Sequence, residues 1–272
     1  MNNEQQIEYW NGAAGERWAS FQPQLDAAMA GITPEVLSFA APAAGERVLD
    51  VGCGCGTTTS LLAQSVGPSG SVTGVDISEP MLKVARTRGI NANFLAADAA
   101  VHRFKPTHDL IFSRFDVMFF SDPSAAFANL RSAARPQGRL AFVCWGPLTD
   151  NLWATLPVEA ARPFLAPQPP TDPHAPGPFA FADEKRLTQI LQTAGWQRPE
   201  VRPLVSVMRM GATLEEALAQ SLRIGPLARV ISELDASTRA RLSEAVGAML
   251  ERYQSSAGIA LPARCWLVSA RN

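Results

Sequence analysis

Apolar residues gather along the chain in short unbroken runs rather than in strict alternation with polar ones. Val48, Leu49 and Val51 make the first run, followed by 71–77 (Ser-Val-Thr-Gly-Val-Asp-Ile) and 92–98 (Ala-Asn-Phe-Leu-Ala-Ala-Asp). Further runs lie at 108–115 and 138–145, within 200–210, and from Ala260 to Ser269. Such runs, bounded by turn residues, predict buried strands. Between them the pattern predicts helices over 57–66, 79–88, 123–135 and 183–194, and each is closed by glycine or proline. Ser78 stands as an N-cap for the second of these, with Pro80 in its first turn. Strand and helix alternating with short turns predict a parallel sheet with right-handed crossovers.

The first strand, Arg47-Val48-Leu49-Asp50-Val51, breaks into three alternating glycines, Gly52, Gly54 and Gly56, and a helix begins at once. Strand, glycine turn and helix in that order bring bare backbone against a nucleotide at the helix N-terminus. The dinucleotide fingerprint wants a glycine three residues after the second one. Those positions hold Thr57 or Thr59, so neither frame fits.

The stretch reads D-x-G-x-G-x-G and resembles the cofactor loop of the class I S-adenosylmethionine-dependent methyltransferases. Three more strand ends support the resemblance: Asp76 on the second strand, Asp98 on the third, and Ser113-Arg114-Phe115-Asp116 at the exit of the fourth. The chain is most similar to the small-molecule group that includes the ubiquinone and menaquinone C-methyltransferases, on Phe115 to Phe120 and on 136–146. The resemblance implies an α/β, Rossmann-like sheet of seven strands in the order 3-2-1-4-5-7-6, strand seven antiparallel. It implies S-adenosyl-L-methionine as the cofactor. Gly52, Cys53, Gly54 and Gly56 would then approach it through backbone, and Asp50 would hold the loop and the methionine amine. Asp76 and Ile77 would take the ribose, Asp98 and Ala99 the adenine. Ser113 and Arg114 lie where the family places the methionine end, and Arg17 is expected to pair with the methionine carboxylate.

Four units follow from this reading: an N-terminal helical lid over 1–44, a cofactor-binding core over 45–146, a proline-rich substrate loop over 147–180, and the rest of the core over 181–272. In the lid, Tyr9, Trp10, Arg17 and Trp18 fall near one another if the segment is helical, with Gly12 and Gly15 allowing a break. Aromatic rings there exclude water and can face a sulfonium cation. A second helix is expected from Gln24 to about Ala40. The run 161–180 is dense in proline and reads as an irregular loop overhanging the cleft. A mainly helical insertion over 211–258 places Leu242, Val246, Met249 and Leu250 on one face. It is expected to roof the substrate pocket or to form a homodimer contact.

Composition narrows the chemistry. A length of 272 residues allows one large core with a cap, and a net charge of −1 gives no basic field for nucleic acid. No membrane partner is expected either, because no apolar run is long enough to span a bilayer and the first residues lack a signal pattern, so the cytoplasm is the default. Cys53, Cys55, Cys144 and Cys265 have no metal-ligand spacing, and no metal is expected. The Asn-Pro-Pro-Tyr and Pro-Cys signatures of nucleic-acid methylation are absent. The expected partner is a planar or hydrophobic small molecule that receives a methyl group on oxygen, nitrogen or carbon. A base is needed where its nucleophile arrives protonated. Candidates are Asp116, His174 and Tyr9, whereas His102 and His108 are expected on the exposed surface. Two readings compete with an active methyltransferase: a nicotinamide-dependent oxidoreductase and a catalytically inactive binding module.

Overall fold

The computed structural model describes residues 3–166, 172–228 and 230–272. Eight strands form one sheet: β1 (Arg47–Val51), β2 (Ser71–Asp76), β3 (Asn93–Ala96), β4 (His108–Arg114), β5 (Ala134–Trp145), β6 (Gln197–Gly211), β7 (Gln254–Ser255) and β8 (Gly258–Arg271). Their order is β3-β2-β1-β4-β5-β8-β6, and β7 folds back to pair with β8 alone. The first five strands run parallel, and β8 is antiparallel to both β5 and β6. This is the expected sheet, with β8 in the place of strand seven and β7 as an addition.

The register decides where the chemistry sits. Val51 pairs with Val75 on one side and with Ser113 on the other. The carboxyl ends of β1, β2 and β4 therefore finish level, and Gly52, Asp76 and Arg114 share one rim. Asp50 pairs with Phe112, so the two-residue period of β4 puts Arg114 on the same sheet face as Asp50.

Helices cover the sheet: α1 (Asn3–Asn11), α2 (Ala13–Ser20), α3 (Gln22–Ala28), α4 (Thr33–Ala40), α5 (Thr57–Val66), α6 (Glu79–Thr87), α7 (Pro123–Ala133), α8 (Leu152–Ala161), α9 (Glu184–Thr193), α10 (Leu214–Arg223) and α11 (Ala236–Glu251). Side-chain caps fix the starts of α7, α9, α10 and α11: Asp122, Asp183, Thr213 and Asp235 each accept a backbone N–H of the first turn. In α11, Leu242, Val246 and Leu250 are buried as the spacing predicts, while Met249 is only half-buried at the edge of that stripe.

Four expectations are corrected. The helix expected from Gln24 to Ala40 is two helices, α3 and α4, parted at residues 29–32. Pro34 lies in the first turn of α4, where its missing N–H costs nothing, and Gly31 eases the bend. The segment 147–180 is not irregular throughout, because α8 occupies Leu152–Ala161 in spite of Pro157. Ala154, Pro157 and Ala161 are buried on one face of α8, which packs against α11. That packing outweighs the hydrogen bond the proline removes. Residues 167–171 of the proline-rich run lie outside the described residues. Strand β5 begins at Ala134 rather than Gly138, because Ala134 already pairs with His108 before the ladder shifts and resumes at Arg139. His108 is half-buried rather than exposed: its Nδ1 lies 3.0 Å from the Ala133 carbonyl and Phe104 packs edge-on against its ring.

Gly12 separates α1 from α2, as expected. Gly15 instead lies inside α2, where a Cβ would sit 2.0 Å from the Trp10 carbonyl oxygen and 2.7 Å from Ser78 Oγ. Gly15→Ala should force α1 away from the start of α6, losing roughly 1–3 kcal/mol and exposing α1. The measurement is limited proteolysis with mapping of the first cut. An unchanged cleavage rate within residues 3–20 would contradict the packing described.

Candidate active site

Two carboxylates lock the glycine turn. Asp50 is fully buried, and its Oδ2 accepts from Thr58 Oγ1 at 2.8 Å and Thr59 Oγ1 at 2.6 Å, both in the first turn of α5. Asp76 accepts the Gly54 N–H on Oδ2 and the Ser78 N–H on Oδ1, each at 2.8 Å. The N–H groups of Gly52 and Cys53 both donate to the Val75 carbonyl, which ties the turn to β2.

The three glycines have different surroundings. At Gly56 (φ +83) a Cβ would lie 2.8 Å from Ile90 and 3.2 Å from Phe94, so this glycine admits close helix–strand packing. At Gly52 the space is filled by Asp116, whose Cβ lies 2.1 Å from where a Cβ would stand. Gly54 alone faces open space, with Met81 Sδ at 3.8 Å as its nearest neighbour.

Asp116 reaches Gly52 from the exit of β4. Phe115, immediately before it, has φ +61, a left-handed conformation rare for a bulky residue. Its N–H donates to Val143 and its ring stacks on Trp145 at 4.1 Å. The strained turn is thus held by β5.

Asp116 lines a cleft with Gly52, Asp76 and Ile77, and Asp98 and Ala99 form its side. Asp98 stands two residues beyond the end of β3, its Oδ1 accepting the Ala100 N–H. Gln6, Trp10, Phe119 and Phe120 form the roof. Trp10 meets Phe119, Trp18 and Tyr9 edge-to-face at 5.8, 5.5 and 5.2 Å. The cavity left beneath is about 40 Å³, an order of magnitude less than the several hundred Å³ a ligand pocket usually offers. Trp10 and Gln6 must therefore lift for a nucleoside to enter. A larger groove of about 620 Å³, between α4 and strands β5, β8 and β6, lies beside Arg139 at the opposite end of the sheet. Ligand chemistry in such sheets belongs to the carboxyl ends of the strands, where the glycine turn is.

Burial sets the charge of the cleft. It raises Asp50 to about 6 against the two threonine hydroxyls, and Asp76 to about 6 against three backbone N–H groups. Asp116 is pushed up to about 8, first by burial and then by Asp76, Asp50 and Asp98. Burial also pushes up the Cys53 thiol. The buried cation nearby is Arg114, which donates to Thr33 Oγ1 at 2.7 Å and lies 3.7 Å from Asp26. Asp50 Oδ1 and Ser113 Oγ are buried without a protein hydrogen-bond partner, on adjacent strands. The two side chains point to opposite faces of the sheet, so Asp50 Oδ1, beside open Gly54, is the one that fits a ligand amine.

Of the residues singled out from sequence, Gly52, Asp76, Ile77, Asp98, Ala99, Asp116 and Trp10 meet at this cleft. Asp50, Cys53, Gly54, Ser113 and Arg114 stand just behind it. Tyr9 and Trp18 buttress Trp10 and do not line the cavity. Arg17 is half-buried in α2 and also outside it. His174 is exposed in the loop, its backbone N–H held by Asp172, and the structure does not bring it to Asp116. His102 packs against Phe104.

Sequence reasoning missed Gln6, whose Oε1 accepts from Trp10 Nε1; their spacing of four residues was the available signal. It also missed Asn11. The Asn11 amide donates to the Ile77 carbonyl at 2.8 Å and accepts the Glu79 N–H at 3.0 Å, so it caps α6 from the lid. Ser78, expected to be that cap, donates its hydroxyl to the Trp10 carbonyl instead.

Comparison with known proteins agrees with this geometry. A family profile described as "Methyltransferase domain" matches residues 48–138. The chain is 34% identical over 141 residues to aklanonic acid methyltransferase from Streptomyces sp. (strain C5), covering 49% of the chain and 59% of the relative. It is 30% identical over 203 residues to nocamycin O-methyltransferase from Saccharothrix syringae, covering 69% and 71%. The chain spans between 50% and 59% of two of the relatives it matches. Haemonchus contortus phosphoethanolamine N-methyltransferase 2, solved in complex with S-adenosyl-L-methionine, superposes over 98% of this chain and 59% of its own, with a TM-score of 0.60 at 16% identity. At that identity the likeness is one of fold.

Proposed function

The chain belongs to the S-adenosylmethionine-dependent methyltransferases, and on that premise we propose that it methylates a small molecule whose nucleophile carries a proton, with Asp116 as the base. The observation that carries this reading is Asp116 itself, set over Gly52 in the cleft beside the carboxylates of Asp76 and Asp98.

The cofactor supplies an electrophilic methyl group on a sulfonium and leaves as a neutral thioether. The chain's residues hold, orient and exclude water. Asp76 and Asp98 would offer carboxylates to the ribose and adenine, and the unpartnered Asp50 Oδ1 would take the amine. Arg114 is the better placed cation for the carboxylate than Arg17. Trp10 and Phe119 keep solvent from the methyl group. Asp116 takes the proton released when the acceptor's bond to carbon forms. One positive charge on sulfur and one negative on Asp116 are consumed together, so charge balances. Beyond Asp116, rings follow one another from Phe115 to Trp145, Trp153 and Phe179 at 4.1, 4.7 and 6.1 Å. That aromatic run favours a planar acceptor.

The test is transfer of labelled methyl from S-adenosylmethionine to a panel of phenols, enols and amines. Wild-type protein should label a planar hydroxylated acceptor, and Asp116→Asn should lose roughly 100- to 10,000-fold in kcat at saturating S-adenosylmethionine. Equal rates in the two proteins would remove Asp116 as the base.

A further inference from the structure

We infer that Asp116 reads the charge of the cofactor, ionised when the sulfonium form is in the cleft and protonated when the neutral thioether product is there. The inference rests on the cofactor assignment above and goes beyond it, because it makes one side chain responsible for favouring substrate over product.

Geometry supplies the argument. Carboxylates from three different segments line one small cavity, Asp76 from the end of β2, Asp98 beyond β3 and Asp116 beyond β4, and Asp50 on β1 adds its charge from behind. The groups facing Asp116 from the other packed elements are the Cys53 thiol in the glycine turn, and Gln6, Trp10, Phe119 and Phe120 in the roof. None of these is a cation. Arg114, two residues earlier, lies on the Asp50 face of β4 and is turned toward Thr33 and Asp26. Asp50 and Asp76 are also tied by hydrogen bonds that favour their charged forms. Among the described residues no hydrogen bond of that kind holds Asp116 ionised, and Phe115 and Gly52 clamp it in place, so it is the member free to change protonation. With the roof closed and water excluded, a unit positive charge in the cavity weighs heavily on that choice.

The linkage has a direction. Near neutral pH the empty protein holds Asp116 protonated, because burial and three neighbouring acids oppose its charge. Binding a sulfonium releases that proton to the buffer, whereas binding the thioether leaves it in place. After methyl transfer, Asp116 has gained the acceptor's proton just as sulfur has lost its charge. The product complex is therefore neutral at both positions, with no sulfonium–carboxylate attraction to retard release.

The experiment is calorimetric titration of the full chain with S-adenosylmethionine and S-adenosylhomocysteine at pH 7.5, each in two buffers of different ionisation enthalpy. About one proton should be released with the first ligand and close to none with the second. The ratio of the two Kd values should shift in favour of S-adenosylmethionine by up to about tenfold per pH unit between roughly pH 6 and pH 8. Asp116→Asn should abolish both the proton difference and the pH dependence of the ratio. Equal proton counts for the two ligands in wild-type protein would overturn the inference, whether or not the variant folds. So would a pH-dependent ratio that survives in Asp116→Asn. Absence of binding by both ligands would overturn the cofactor assignment as well, which separates the two failures.

Discussion

Asp76→Ala should weaken binding of both S-adenosylmethionine and S-adenosylhomocysteine by more than a hundredfold. Two causes act together. The side chain stands at the carboxyl end of β2, inside the cleft, where ribose hydroxyls would find a carboxylate. It also holds the glycine turn, through the Gly54 N–H, and the start of α6, through the Ser78 N–H. Hydrogen bonds to a charged group contribute roughly 1.5–3 kcal/mol each, so loss of both loosens the turn before any ligand arrives. Asp76→Asn separates the causes, since the amide keeps one acceptor and loses the charge. Calorimetry on the three proteins, with melting curves, measures both effects. A Kd within threefold of wild type for Asp76→Ala would show that the turn and the ribose are held by something else.

The second large effect concerns stability without ligand. Asp50, Asp76 and Asp116 are all raised above the ordinary carboxylate value, to about 6, 6 and 8. A group raised on folding binds its proton more tightly in the native state. Its contribution is therefore complete below about pH 4 and is lost as pH rises through the folded value. Glu46, lowered by its bonds to Arg139 and Ala43 although burial opposes them, acts in the reverse sense and weakens the fold only in acid. The ligand-free protein should accordingly lose melting temperature between about pH 5 and pH 9. Each unit of upward shift costs about 1.4 kcal/mol above both values. Asp116→Asn removes the largest of the three penalties and should melt at least about 4 °C higher than wild type at pH 9, with a much smaller difference at pH 5. Differential scanning calorimetry across that range is the check. A variant that melts lower than wild type at pH 9 would mean that Asp116 is not a strained charge in the empty cleft.

The parallel half of the sheet was legible because the strands at its centre, β1 and β4, are buried nearly throughout and appear as apolar runs closed by turn residues. The glycine turn and the strand-end acids around it were legible because glycines and acids at that spacing stand out from the apolar runs. Contacts that join distant segments were not. Asn11 caps a helix that begins 68 residues later, and nothing in the local sequence marks it for that task. Arg114 reads as one more strand-end residue until the register sets it on the Asp50 face beside Thr33 and Asp26. The irregular reading of 147–180 failed at α8, where packing against α11 sustains a helix through Pro157. The different surroundings of Gly52, Gly54 and Gly56 also needed three dimensions, since each is defined by what a Cβ would strike.

The most direct measurement of the central assignment is calorimetric titration of the purified chain with S-adenosylmethionine, S-adenosylhomocysteine and NAD. Micromolar binding of the first two and none of NAD is the expected result, given a cleft lined by Asp76 and Asp98 and a turn with no glycine three residues after its second one. Binding of NAD with silence from both S-adenosyl compounds would contradict it.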